Sequence, residues 1–333
     1  MQKKTYLAWL VFIIILLIFP FFVKMSYFLH IAIMVFMYTT LGVSWNILTG
    51  FAGQISLGQS VFLGVGGYTS AVLLVKFGIS PWIGLFASIC AGMALGWLIG
   101  VPCFRLKGRY FAIATMAVVQ IAYLIVTRWE YVGGARGIYF PLRNWGLAHF
   151  SFRAKEPYYF IAMGMMLVAM IVVYYIEYSH IGYYLKAIRE DPDAATSLGI
   201  DVPKYKMIAM MFSASLAAIA GTFYGQYLLF IDPDTMFLLS VPIMLMAIMG
   251  GVGSLLGPLI GAGLLIPLQE ISRVYWSGSG QAIDQIIYGV FIIIIVIIQP
   301  RGIMGMVDWL INKLKKRTKI LRENSIEDTT IMN

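Results

Sequence analysis

The sequence predicts an all-α polytopic membrane helical bundle of about ten spans (8–10), with broken or re-entrant segments among them. Three observations predict it. Hydrophobic residues fill 60% of the 333 positions and charged residues only 12%, against about 25% charged in a soluble domain. Apolar runs of a length that crosses a hydrocarbon core about 30 Å thick recur along the chain. Lys and Arg gather mostly in alternate gaps between these runs, as cytoplasmic loops require.

The runs fall at 6–23, 28–49, 55–75, 80–103, 110–127, 157–177, 207–230, 237–250, 258–275 and 282–299. Lys3 and Lys4 precede the first, and no small-residue cleavage site follows it, so it reads as a span and not as a signal peptide. The runs at 55–75 and 237–250 are glycine-interrupted or short, and each is a candidate re-entrant element. With the N-terminus in the cytoplasm, ten crossings put Arg105, Lys107, Arg109, the segment 178–206 and the basic tail from Lys313 to Arg322 on the same side. The loop 128–156, with Arg128, Arg136, Arg143, Arg153 and Lys155, then falls outside against the rule. Either it folds as a compact external element or the count errs by one in each half. The expected domains are a transmembrane domain at 1–305, with helices 180–204 inside it, and a basic, partly disordered cytoplasmic tail at 306–333.

The net charge of +9 sets orientation in such a chain and does not point to nucleic acid. Two isolated cysteines and three scattered histidines give neither a disulfide framework nor a metal site, so no cofactor or metal is expected. Gly251-Val252-Gly253 lacks the lysine and Ser/Thr of a phosphate loop. No chain of buried acids suits a proton relay; Gln120 is a candidate pathway residue, while Glu270 and Asp284 lie near span ends.

Glycines cluster at Gly50, Gly53, Gly58, Gly64, Gly66 and Gly67 and at Gly250, Gly251, Gly253, Gly257, Gly261 and Gly263. Two readings compete. Small residues let membrane helices approach closely. Alternatively the clusters mark unwound backbone, tolerated at membrane depth only where it is buried or lines a cavity, and interrupted segments in two halves point to a transport pathway. Asn46, Gln54, Ser56, Gln59, Ser60 and Ser254 accompany them.

Residues 178–206 are a polar island between two apolar runs, with four acids and the bases Lys186, Arg189, Lys204 and Lys206. Gly182 to Glu190 reads as a short amphipathic helix with Leu185 and Ile188 on one face. Asp191 is an N-cap with Pro192 at the first helical position. Asp193 suits the helix dipole, and Gly199 closes the second helix in a left-handed conformation. Ala194, Ala195 and Leu198 give that helix a shallow apolar surface. A helix–turn–helix knuckle of this kind is either a solvated loop or a knob for the groove of a partner.

Asp193-Ala194-Ala195 followed by Gly199 is similar to the signature of ABC importer permeases, with Asp for Glu and without the downstream Ile-x-Leu-Pro. Lys186 to Asp191 resembles the branched-chain amino-acid (LIV-type) ABC permeases, in particular the longer of their two permease subunits. Ser44-Trp45-Asn46, Gly50 to Gly58, Arg109 to Thr115, Gly133-Gly134 with Gly137 (Val132 replacing a threonine), Met249 to Ser254 and Pro300 to Gly305 also fit, in order, over roughly residues 40–305.

The resemblance implies a subunit without catalysis of its own, in the cytoplasmic membrane. It implies a second homologous permease, two cytoplasmic ATP-binding subunits and an extracytoplasmic solute-binding protein. The expected coupling residues are Gly182, Lys186, Ala187, Arg189, Glu190, Asp191, Asp193, Ala194, Ala195 and Gly199, with Arg189, Glu190 and Asp191 as polar docking contacts. The expected pathway residues are Asn46, Gly53, Gln54, Ser56, Gly58, Gly250, Gly251, Gly253 and Ser254, with Tyr110, Thr115 and Gln120 in support. A urea, amide or sugar permease, and a stand-alone carrier or channel, remain as alternatives.

Overall fold

The computed structural model describes residues 14–276, apart from 24, 107, 142–145 and 147–149, together with 286, 289–290, 293–294, 297 and 302–305. The expected basic tail at 306–333, Lys3, Lys4 and Asp284 lie outside the described residues.

Residues 14–22 are helical. Then follow α1 (Ser26–Asn46), α2 (Gln59–Phe77), α3 (Pro81–Cys103), α4 (Arg109–Arg128), α5 (Glu156–Tyr178), α6 (His180–Glu190), α7 (Pro192–Ser197), α8 (Val202–Leu228), α9 (Pro233–Leu238), α10 (Ser240–Gly250) and α11 (Gly257–Trp276). Among the described residues, seven helical stretches are long and apolar enough to cross a membrane; α9 and α10 together form one of them. The expected spans near 6–23 and 282–299 fall partly or largely outside the described residues. In the run at 55–75 the irregular part is 52–58, and a continuous helix follows from Gln59 to Phe77.

α1 is the axis of the bundle. From Phe36 onward every residue in it is buried, and it packs against α5, α8, α10 and α11. Around it, α2, α3 and α8 form the tightest group. Small residues explain that closeness. A Cβ on Gly66 would overlap the backbone of Ala218, and one on Gly221 the carbonyl of Leu63. Across α3, a Cβ on Gly92 would stand 2.8 Å from the Ala218 methyl. Close backbones bring polar groups into reach. Thr222 Oγ1 and Ser88 Oγ are 2.9 Å apart, and Ser88 Oγ donates to the Gly66 carbonyl at 2.9 Å. Gln59 Nε2 donates to Ser44 Oγ at 2.6 Å and to Ser213 Oγ at 3.2 Å. Cross-helix bonds of this kind are worth about 0.6 kcal/mol each in a membrane.

α4 is attached differently. Phe111, Thr115 and Val119, spaced by four, form its one buried stripe. Ile113, Met116, Ile121, Leu124 and Ile125 are exposed on the remaining surface.

The described part of the loop after α4 is a folded element, a cap. Its strand β1 (Ile138–Tyr139) pairs antiparallel with β2 (Phe230–Ile231), which follows α8. Gly133, Gly134 and Gly137 all hold positive φ. Lys155 Nζ donates to the Ser26 carbonyl at 3.1 Å, placing this cap at the end of the bundle where α1 begins. α6 and α7 lie at the opposite end, where α1 finishes.

Substituting Gly221→Leu will force α2 and α8 apart. A loss of about 1–3 kcal/mol is expected, read as a lower midpoint of thermal unfolding in detergent, whereas Gly164→Leu, with nothing within 4 Å of its site, leaves the midpoint unchanged.

Candidate coupling site

At the end where α1 finishes, three pieces of chain converge. The first is the break after α1. Its backbone widens into a π-turn, Ile47–Phe51, and runs irregularly through 52–58. Unwound backbone in a membrane must find partners inside the protein, and side chains supply them here. Trp45 Nε1 donates to the Ser56 carbonyl at 2.7 Å. Thr49 Oγ1 donates to the Gln54 carbonyl at 2.9 Å and receives Ser56 N at 3.4 Å. Leu57 N donates to Thr115 Oγ1 at 3.0 Å, and Gly58 N to Ser56 Oγ at 3.2 Å.

The second piece is the break between α10 and α11. Gly251 and Gly253 hold φ of 128° and 81°, angles that favour glycine. Ser254 Oγ donates to the Gly251 carbonyl at 2.8 Å and accepts from Gly257 N at 3.0 Å. Asn46 joins the two breaks. Its Nδ2 donates to the Ser254 carbonyl at 2.8 Å, and its Oδ1 accepts from Gly253 N at 2.7 Å. Residue 302 closes against the same point: a Cβ there would stand 2.8 Å from Gly251 Cα.

The third piece is the knuckle. The sequence folds it as its caps dictate. Asp191 Oδ1 accepts from Asp193 N at 2.8 Å and from Ala194 N at 3.0 Å. Pro192 opens α7, and Gly199 ends it at φ 84°. Asp201 caps α8 by accepting from Lys204 N at 3.1 Å. Leu185 and Ile188 are buried, as expected of one amphipathic face. Gly182 is buried where a Cβ would overlap the Ile176 and Glu177 carbonyls, so it fits the turn between α5 and α6. Lys186 Nζ pairs with Glu177 Oε1 at 3.0 Å. Ala187 is half-buried; Glu190, Asp191, Asp193, Ala194 and Gly199 are exposed. The expected shallow surface divides, because Ala195 is buried and Leu198 is 81% exposed.

Arg189 ties the knuckle to the breaks. Its Nη1 donates to the Gly50 carbonyl at 2.8 Å, while Nη2 reaches Glu190 Oε1 at 3.1 Å. Gly53, at φ 68°, lies under its stem: a Cβ there would stand 2.8 Å from Arg189 Cγ. A Cβ on Gly253 would lie 3.2 Å from Nη1.

The structure therefore brings together Asn46, Gly53, Gln54, Ser56, Gly58, Thr115, Gly250, Gly251, Gly253 and Ser254 with Arg189. It leaves Tyr110, 71% exposed, and Gln120, also exposed, on the outward surface of α4. Gln54 Oε1 is buried without a hydrogen-bond partner among the described residues. Sequence reasoning passed over Trp45 and Thr49 as struts. An indole or hydroxyl next to a glycine-rich break was the available signal.

The described helices form an all-α polytopic membrane bundle in which two broken stretches are tied to one short helical knuckle. The chain belongs to the family described as branched-chain amino acid transport system / permease component, which it matches over residues 27–296. It is 29% identical over 300 residues to the high-affinity branched-chain amino acid transport system permease protein LivM of Salmonella typhimurium, covering 83% of this chain and 69% of that one. It is 24% identical over 283 residues to the LivH permease protein of Escherichia coli K12, covering 80% and 91%. A probable LivH of Methanocaldococcus jannaschii is 28% identical over 273 residues, covering 78% and 84%. No solved structure matches.

Replacing Asn46 with leucine removes both bonds between the breaks and leaves Gly253 N without its acceptor, at about 1–3 kcal/mol. Amide hydrogen exchange across 250–257 is expected to quicken at least about tenfold, with exchange in α3 unchanged.

Proposed function

We propose that this chain is one permease subunit of an ATP-driven importer of branched-chain amino acids in the cytoplasmic membrane. The family supports the transport role and the solute class. That Escherichia coli relatives named LivM and LivH, both permease proteins of a high-affinity branched-chain system, resemble this chain supports a second, homologous permease beside it. Two ATP-binding subunits on the cytoplasmic side supply the energy, and an extracytoplasmic binding protein delivers the solute.

The observation that carries the coupling role is the bond from Arg189 to the Gly50 carbonyl. The knuckle presents Leu198, Glu190 and Asp193 outward to the ATP-binding subunit. Arg189, which the sequence suggested as a docking contact, also transmits movement inward through its bond to Gly50. Gly50 sits in a π-turn, whose hydrogen bonding already departs from the helix ladder, so the carbonyl shifts without unwinding α1. Asn46 passes the shift to the second break. The solute route runs beside these two breaks, with Thr115 presenting α4 to it.

Magnitudes limit what one bond can do. Inverting a two-state balance from 1:99 to 99:1 needs about 5.5 kcal/mol of differential interaction. A hydrogen bond to a charged group contributes about 1.5–3 kcal/mol. Arg189 is therefore a link, and the differential fit of the knuckle to its motor in the two states supplies the rest.

Reconstitution of the chain with its partners in liposomes tests this. Arg189→Ala should retain ATP hydrolysis while ATP-dependent leucine uptake falls at least about tenfold. Gly199→Trp should still insert in the membrane but fail to co-purify with the ATP-binding subunit and fail in uptake. Leucine uptake by the purified chain alone without ATP, or normal uptake by both variants, overturns the reading.

A further inference from the structure

We propose that the outward face of α4, centred on Gln120, is the contact surface for a transmembrane helix of a second, homologous permease. The inference rests on the functional reading above, which sets such a subunit beside this chain, and adds where the two meet. Tyr110, Ile113, Ala117, Gln120 and Leu124 are all exposed, and they follow one another at intervals of three, four, three and four residues. That interval is the seam of two helices crossing at about +20°. The stripe that holds α4 to its own chain, Phe111, Thr115 and Val119, runs along the opposite side of the helix.

Two features of the seam select protein over lipid. Gln120 is the twelfth of the 20 residues of α4. At 1.5 Å per residue it stands about 16 Å from Arg109 and about 12 Å from Arg128. Its amide therefore lies deep in the hydrocarbon layer, where a polar group turned to lipid is costly and such groups face protein or a water-filled cavity. Ala117, one turn before it, is small, and small residues let membrane helices approach closely.

The chemistry of the carboxamide points to the kind of partner. One glutamine side chain offers two N–H donors and a carbonyl acceptor, so it pairs with a hydroxyl or with another carboxamide. The family match spans α4, and a second permease of the family brings a counterpart of this helix. About a pseudo-two-fold axis the two seams meet face to face. A single polar position on such a seam fixes the register of the pair, as it does in coiled coils. A helix held to its own chain along one stripe and to a neighbour along the opposite one belongs to both subunits.

The test uses the complex purified in lipid nanodiscs through a tag on this chain. A benzophenone side chain in place of Ala117 should cross-link on illumination to a helix of the homologous permease, and one in place of Ile125, on the flank of α4, should not. Adducts from position 117 that contain only lipid, or a second copy of this chain, overturn the surface. Gln120→Leu should lower the homologous permease recovered with this chain in detergent about threefold, the scale of one cross-helix bond, and Gln120→Asn should restore most of it. Ala117→Trp should abolish recovery while Ile125→Trp leaves it unchanged; full recovery with Ala117→Trp overturns the surface. Gln120→Cys in a Cys90→Ser background should resist a water-soluble maleimide, the remaining Cys103 being buried. Prompt labelling would put water and not a helix at this face, and overturns it too. A complex that holds no homologous permease sinks this surface together with the two-permease reading. One that holds it but cross-links only elsewhere leaves that reading standing, and this face alone falls.

Discussion

The rest of the structure depends on one constraint: peptide groups that leave a helix within a membrane protein must find hydrogen-bond partners in the protein itself. Two stretches leave their helices here, and each is satisfied by the other or by nearby hydroxyl, indole and amide groups. Asn46 satisfies the second break from the end of α1. Arg189 satisfies the first from the knuckle. Because the partners are shared, neither break can change shape alone. The need to bury peptide groups thus makes a mechanical linkage out of three segments that are far apart in the sequence.

Glycine permits that sharing in two distinct ways. At Gly66 and Gly221 the missing Cβ lets helices touch, and the consequence is a stiff core of α2, α3 and α8. At Gly53 and Gly253 the backbone itself is left-handed, and the consequence is a bend with room for an arginine. The sequence showed both clusters without showing which role each residue held. The two readings, packing and broken backbone, are both correct at different positions in the same cluster.

Much of the fold was legible because its signals are local. Apolar runs gave the spans, and Asp191-Pro192 with Gly199 gave the knuckle to within a residue or two, since a cap is a contact between neighbours. The compact cap at 128–156 was legible only as a charge anomaly. Its strand pairs with residues after α8, a contact between distant parts of the chain that no local pattern records. Arg189 was found as a docking contact, but helical periodicity says nothing of its bond to a carbonyl 139 positions away.

The single buried stripe of α4 sets its mechanical character. A rod fastened along one line rolls about that line more readily than it slides or bends, because rolling trades exposed side chains for other exposed side chains of the same kind. Thr115 lies on the fastening line and holds Leu57 N, so a roll of this rod turns the first break with it, as a hinge pin turns its leaf.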